Sequence, residues 1–187
     1  DRRNAAPRVA EALRMLAGEQ PLYLQQPSMF LFPGLAQRPY FERREFDWVP
    51  AVEAATDAIR AELSALIETA ADRFGPYVTA SADRPPPNNP LLDKPDWGAA
   101  WLWKDGEIAS GMQDLCPRAL DALASAPQPV IPGRAPLALF SRLKPGTHIA
   151  PHHGLLNTRL ICHLPLIVPN GCSLRVGAES RAWREGE

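Results

Sequence analysis

The sequence predicts an α+β fold in which N-terminal helices pack on a jelly-roll, cupin-like sandwich. Three observations lead there. Apolar residues recur at three- and four-residue steps from Val52 to Leu66, the period shifts to two at Trp97, Trp101 and Trp103, and closely spaced turn signals then run to the end of the chain. Helices first and short antiparallel strands after are the order of an α+β domain, and many short strands joined by Gly and Pro turns suit a sandwich.

The elements follow in order. Residues 7 to 17 fit a short amphipathic helix, with Val9, Leu13 and Leu16 on one face and Gly18 as its stop. From Pro21 to Tyr40, prolines and aromatics describe an extended arm expected to pack on something apolar. Asp47 can cap a helix with Pro50 in its first turn, running on through Ile59, Leu63 and Leu66 to about Phe74, where Gly75-Pro76 ends it. Pro85 to Pro90 cannot join a sheet ladder and reads as a surface loop.

Beyond that loop, Trp97, Trp101 and Trp103 share one parity of a strand, and Lys104-Asp105-Gly106 is a hairpin turn. A short helix with Pro117 in its first turn should face Leu120 and Leu123 inward. Residues 136 to 143 alternate as a strand, Lys144 to Thr147 turn, and 156 to 164 alternate again. Asn170-Gly171 makes a tight hairpin into 172 to 176, and a turn at Gly177 to Ser180 leads into 181 to 184. Residues 1–90 form the helical and arm region, and 91–187 the sandwich core of the same domain. The chain opens at Asp1 within a helix-like stretch and closes at Glu187 without a terminating helix, so it reads as a piece of a longer protein, with the sandwich incomplete at its C-terminal side.

Composition narrows the function classes. The 187 residues suit one domain with one substantial core. A net charge of −1 offers no electrostatic reason to expect nucleic acid or an anionic membrane. No segment has the length of a membrane span, and nothing resembles a signal peptide. The 21 prolines, against an average usage of about 5%, indicate many short elements joined by fixed turns. Cys116, Cys162 and Cys172 are odd in number and outside any CxxC spacing, which argues against a disulfide framework or zinc cluster and fits a cytoplasmic protein.

The chemistry concentrates in Pro151-His152-His153-Gly154, Asn157-Thr158-Arg159 and His163. Non-haem iron sites commonly use two histidines and a carboxylate. The position two beyond His152, where that carboxylate usually stands, is Gly154. Either there is no iron here, or the site leaves an extra position to water. His152 is the metal candidate, against the alternative of a turn histidine bonded to backbone. His153 should point away from its neighbour, and His148 should support the preceding turn. On the 156–164 strand, Asn157, Arg159, Ile161 and His163 would share a face, as an ordinary half-exposed strand also shows. Ser141 adds a hydroxyl and Trp97 an indole wall, and together these groups suit an anionic co-substrate held by charge-assisted donors.

The ordered string Phe140-Ser141-Arg142-Leu143-Lys144-Pro145-Gly146-Thr147-His148, Pro151-His152-His153-Gly154, Asn157, Arg159-Leu160, His163-Leu164, continuing through Gly171-Cys172 to Trp183-Arg184-Glu185-Gly186, resembles the aspartyl/asparaginyl β-hydroxylase family. The resemblance is specific over about 97 to 187 and weaker in the helical part. It implies a double-stranded β-helix and an Fe(II)- and 2-oxoglutarate-dependent dioxygenase whose iron is held by two histidines without a protein carboxylate, which accounts for Gly154. By motif position it makes His152 the first iron ligand and Trp97, Ser141 and His163 contacts of 2-oxoglutarate. Arg159 falls in the same motif, facing either co-substrate or substrate. Animal members carry Arg two residues before the last motif histidine, where this chain has Ile161. The second iron histidine and a co-substrate arginine are expected beyond Glu187, so the piece alone should not turn over.

The expected reaction is hydroxylation of the β-carbon of Asp or Asn in a peptide or protein, ahead of a small amino-acid derivative or a lipid as substrate. A helical-repeat domain could precede the chain in the parent protein. The competing readings are a metal-free jelly-roll binding module that keeps an anion pocket, and a plain scaffold in which the three tryptophans are core only.

Overall fold

The computed structural model describes residues 2–80 and 88–187, so Pro85, Pro86 and Pro87 of the expected proline-rich loop lie outside the described residues. The chain groups into two compact units: residues up to Glu45 with His152–His163 and Val168–Arg184, and Phe46–Pro151 with Leu164–Ile167 and Glu185–Glu187. Helices and open antiparallel sheets make this an α+β chain.

In the second unit, α2 (Val49–Ala54) and α3 (Thr56–Thr69) take the place of the single helix expected from Asp47 to Phe74. Trp48, not Asp47, stands at the cap position, without a side-chain cap bond. The break falls at Ala55, where the Thr56 hydroxyl donates to the Glu53 carbonyl at 2.6 Å and competes with the helical ladder. Ile59, Leu63 and Leu66 keep the expected spacing and are buried. A 3-10 turn, Ala71–Arg73, follows α3, and Gly75–Pro76 does not merely end a helix: it forms β1, a two-residue edge strand, where a missing proline N–H is tolerated.

The central strand is β2 (Trp97–Lys104), paired along one side by β4 (Ala138–Leu143) and on the other by β1 and β3 (Glu107–Ile108). The turn between β2 and β3 lies where the sequence puts it, with Asp105 at φ 54° and Gly106 at φ 92°. A Cβ at residue 106 would lie 2.9 Å from the Ala135 carbonyl oxygen, so both backbone angle and space call for glycine there.

The shared parity of the tryptophans does not survive along β2. A register shift between Trp101 and Trp103 puts an extra β2 residue against β4, and Trp103 packs on the helix-side core. That core joins Ala100, Leu102 and Phe140 of the sheet to Leu63 and Leu66 of α3, Met112 of α4 (Met112–Leu115), and Cys116, Ala119 and Ala122 at α5 (Pro117–Ala124). In α5 the two alanines are the buried positions, and Leu120 and Leu123 are half-buried beside them. No side chain at Cys116 caps α5. Instead the Glu62 carboxylate accepts from the backbone N–H groups of Arg118 at 2.7 Å and Ala119 at 2.9 Å, where the helix dipole favours negative charge. Burial, with Glu62 nearby, pushes the Cys116 thiol up to about 11.

In the first unit, α1 (Arg2–Leu16) begins earlier than expected and ends at Gly18 (φ 73°). Val9, Leu13 and Leu16 are exposed. The arm from Pro21 to Tyr40 is extended, but its large apolar residues, among them Leu22, Met29, Phe30 and Phe32, are exposed rather than packed. What holds the arm is polar: Ser28 and Met29 donate backbone N–H groups to the carbonyls of Gly154 and Leu155, both at 3.1 Å.

Residues 156 to 164 are not a strand; they make a single parallel bridge, Leu156 to Phe30. The neighbour available to that segment is the arm, and Pro27 and Pro33, without N–H donors, bound the stretch that could pair. With no ladder, Asn157, Arg159, Ile161 and His163 do not form a strand face. A hairpin does follow, between β5 (Ser173–Val176) and β6 (Glu179–Ala182), through a Gly177-Ala178 turn. Arg181 of β6 bonds Glu42 at 2.8 Å and Glu179 at 2.7 Å while stacking on Tyr40, and its guanidinium holds the Glu42 carboxyl below the usual range.

Candidate functional site

Pairing across β2 and β4 sets Ala99 opposite Ser141 and Trp97 opposite Leu143, so side chains 44 residues apart in sequence share one face. There the Trp97 indole N–H donates to Ser141 Oγ at 3.0 Å. Trp97 is buried and Ser141 exposed. A hydroxyl that accepts one bond still carries a proton of its own to donate. The pair therefore leaves the Ser141 hydroxyl proton available to donate at an accessible point. Backbone Lys144 N–H to Asp96 C=O, at 2.9 Å, secures the same end of the ladder.

On the other edge of β2, Tyr77 lies opposite Trp97, donating its N–H to the Trp97 carbonyl at 2.8 Å. The two rings stand 4.3 Å apart, tilted by 34°, and Tyr77 lies 6.4 Å from Trp101 in a near-parallel arrangement. Sequence reasoning missed Tyr77, because Gly75-Pro76 before it reads as a helix stop. Treating that pair as an edge strand would have exposed the cross-strand partner.

His152, Arg159 and His163 lie in the 152–163 segment of the first unit, and all three are exposed as residues. The His163 ring is 5.5 Å from that of Trp183, and protein packed around it lowers its pKa below the usual 6.5 by loss of hydration, although part of the residue still meets solvent. A neutral ring at neutral pH keeps one donor and one acceptor nitrogen. His153 is turned to the arm, its Nδ1 accepting from Gln26 N–H at 3.3 Å. The turn before His148 is closed by backbone, Thr147 N–H to Lys144 C=O at 3.1 Å, with Gly146 at φ 76°. Asn157 uses its whole carboxamide on the arm: it accepts from Phe32 N–H at 2.7 Å and donates to Phe32 C=O at 2.9 Å.

Among the described residues, Trp97 and Ser141 are thus in direct contact, and the three cationic or imidazole side chains share one segment of the other unit. No group of three or more His, Cys, Asp and Glu is assembled there as a metal centre. His152 offers a single imidazole, so the described donors do not by themselves make up the set an iron ion needs. Among the described residues, no helix is long and apolar enough to cross a membrane.

Comparison with known proteins adds an independent line. The sequence profile of the family described as Aspartyl/Asparaginyl beta-hydroxylase matches residues 53–187, reaching well before the motif-bearing segment. The chain is 29% identical over 166 residues to human "Aspartyl/asparaginyl beta-hydroxylase", covering 87% of this chain and 20% of that protein. It is 31% identical over 165 residues to human "Aspartate beta-hydroxylase domain-containing protein 2", covering 87% and 42%. A bovine "Aspartate beta-hydroxylase domain-containing protein 1" matches at 29% over 169 residues, 88% and 43%. The chain spans less than half the length of each of these relatives.

Proposed function

From the premise that this chain belongs to the aspartyl/asparaginyl β-hydroxylase family, we propose that the protein hydroxylates the β-carbon of Asp or Asn side chains in a peptide or protein, with Fe(II) and 2-oxoglutarate, on a double-stranded β-helix core. The observation that supports the reading is the Trp97–Ser141 hydrogen bond, which leaves an exposed hydroxyl able to donate to an anionic co-substrate.

The bound iron and co-substrate would supply the oxidising chemistry; the chain's own groups bind, orient and exclude water. Ser141, accepting from the indole N–H, would use its own proton to donate to a 2-oxoglutarate carboxylate. Trp97 fixes that rotor and presents an apolar wall. His163, kept neutral, can donate a ring N–H to an anionic ligand. Arg159 supplies positive charge for a carboxylate of co-substrate or substrate. His152 would contribute one imidazole nitrogen to the metal.

The test is oxygen insertion by the full-length protein. Incubated with Fe(II), 2-oxoglutarate and Asp- or Asn-containing peptides, it should release succinate and add the mass of one oxygen atom to the peptide. H152A should lose metal-dependent succinate formation. Retention of that activity in H152A would overturn the assignment.

A further inference from the structure

We propose that Tyr77 is a positioning residue for the Ser141 hydroxyl, acting through Trp97; this rests on the reading of Ser141 given above. Three contacts form a chain across the sheet. Tyr77 is fixed to Trp97 by backbone, N–H to C=O at 2.8 Å, and by ring packing at 4.3 Å between centroids. Trp97 in turn holds Ser141 Oγ at 3.0 Å.

The indole plane can turn about its side-chain torsions, and the direction of its N–H turns with it. On the β4 side its cross-strand neighbour is Leu143, an exposed aliphatic that places no ring against it. On the β1 side is Tyr77, itself 39% exposed, with one flank on Trp97 and the other toward Trp101. An aromatic pair adds specific stabilisation beyond the area it covers, and only in a restricted set of orientations. Tyr77 therefore selects the indole rotamer that points at Ser141. Its own place is set by the short β1 strand, in which Gly75 pairs with Ala99 and Pro76 with Gly98, so that residue 77 is in register with residue 97.

The experiment is a double-mutant cycle in the full-length protein, reading 2-oxoglutarate and Fe(II) affinities separately under anaerobic conditions. Y77A should weaken 2-oxoglutarate binding by roughly 3- to 10-fold, the range an aromatic pair supports, with Fe(II) affinity unchanged. Y77L, which keeps apolar bulk and guards against loss of folding, should show the same shift, and Y77F, which keeps the ring, should restore wild-type affinity. In an S141A background, Y77A should add less than about twofold, because the group it orients is gone. Unchanged 2-oxoglutarate affinity in Y77A and Y77L, a parallel loss of Fe(II) affinity, or a full additive effect on S141A would each overturn the proposal. If S141A alone leaves 2-oxoglutarate binding intact, the reading of Ser141 fails, and the role of Tyr77 with it. A normal S141A defect beside a silent Y77A and Y77L removes only Tyr77.

Discussion

Trp97 and Ser141, joined at 3.0 Å from indole N–H to hydroxyl oxygen, bind the two long strands of the central sheet through side chains as well as backbone. Replacing Trp97 with Phe keeps an aromatic ring and deletes the donor. W97F should cost about 1 kcal/mol of stability for the lost hydrogen bond, and more for the volume removed from a buried position. It should also weaken 2-oxoglutarate binding in the full-length protein. Denaturant titration and co-substrate titration check the two outcomes.

Glu62 reaches from α3 to the first-turn N–H groups of α5 with both carboxylate oxygens. E62A should destabilise the protein by about 1–2 kcal/mol, as loss of a helix cap does. E62Q retains acceptor geometry at one oxygen and loses the charge, and should fall between. Chemical denaturation monitored by circular dichroism orders the three proteins.

Asn157 clamps the arm at Phe32 through donor and acceptor together. N157A removes both bonds and should free the arm without touching the core. Limited proteolysis should then cut sooner near Phe30 to Phe32, and the Phe32 amide should exchange faster, while the Leu66 amide in α3 stays protected.

His163 carries a pH signature. Its folded pKa lies below the unfolded 6.5 because hydration is lost around the ring. The unfolded chain therefore takes up the proton first as pH falls. Stability from this group is complete above 6.5, declines as pH drops toward the folded pKa, and levels off below it. H163Q should flatten that part of the stability profile. The His163 ring-proton titration followed by NMR should show a midpoint below 6.5.

Local signals in the sequence were enough for some of this structure. Lys104-Asp105-Gly106 reads as a turn because positive φ is needed at adjacent positions, and β2 and β3 flank it as that signal requires. The α3 stripe of Ile59, Leu63 and Leu66 reads as core by spacing alone. What failed depended on partners distant in the chain. Alternation from 156 to 164 describes a strand only when a ladder neighbour exists, and the proline-bounded arm gives one bridge, at Leu156. The bulge that moves Trp103 to the helix side leaves no mark in the residues themselves. Glu62 is 56 residues from the N–H group of Arg118 that it caps, and nothing local announces it. In the candidate site, Trp97 and Ser141 were both legible as residues, but their hydrogen bond and the Tyr77 ring behind it follow from strand pairing.

The most direct measurement is anaerobic titration of the full-length protein with Fe(II) and 2-oxoglutarate, followed by visible absorption. Wild-type protein should develop the metal-to-ligand charge-transfer band of a chelated 2-oxoglutarate, and H152A should not. A band of equal strength in H152A, or none in the folded wild-type protein, would contradict the account.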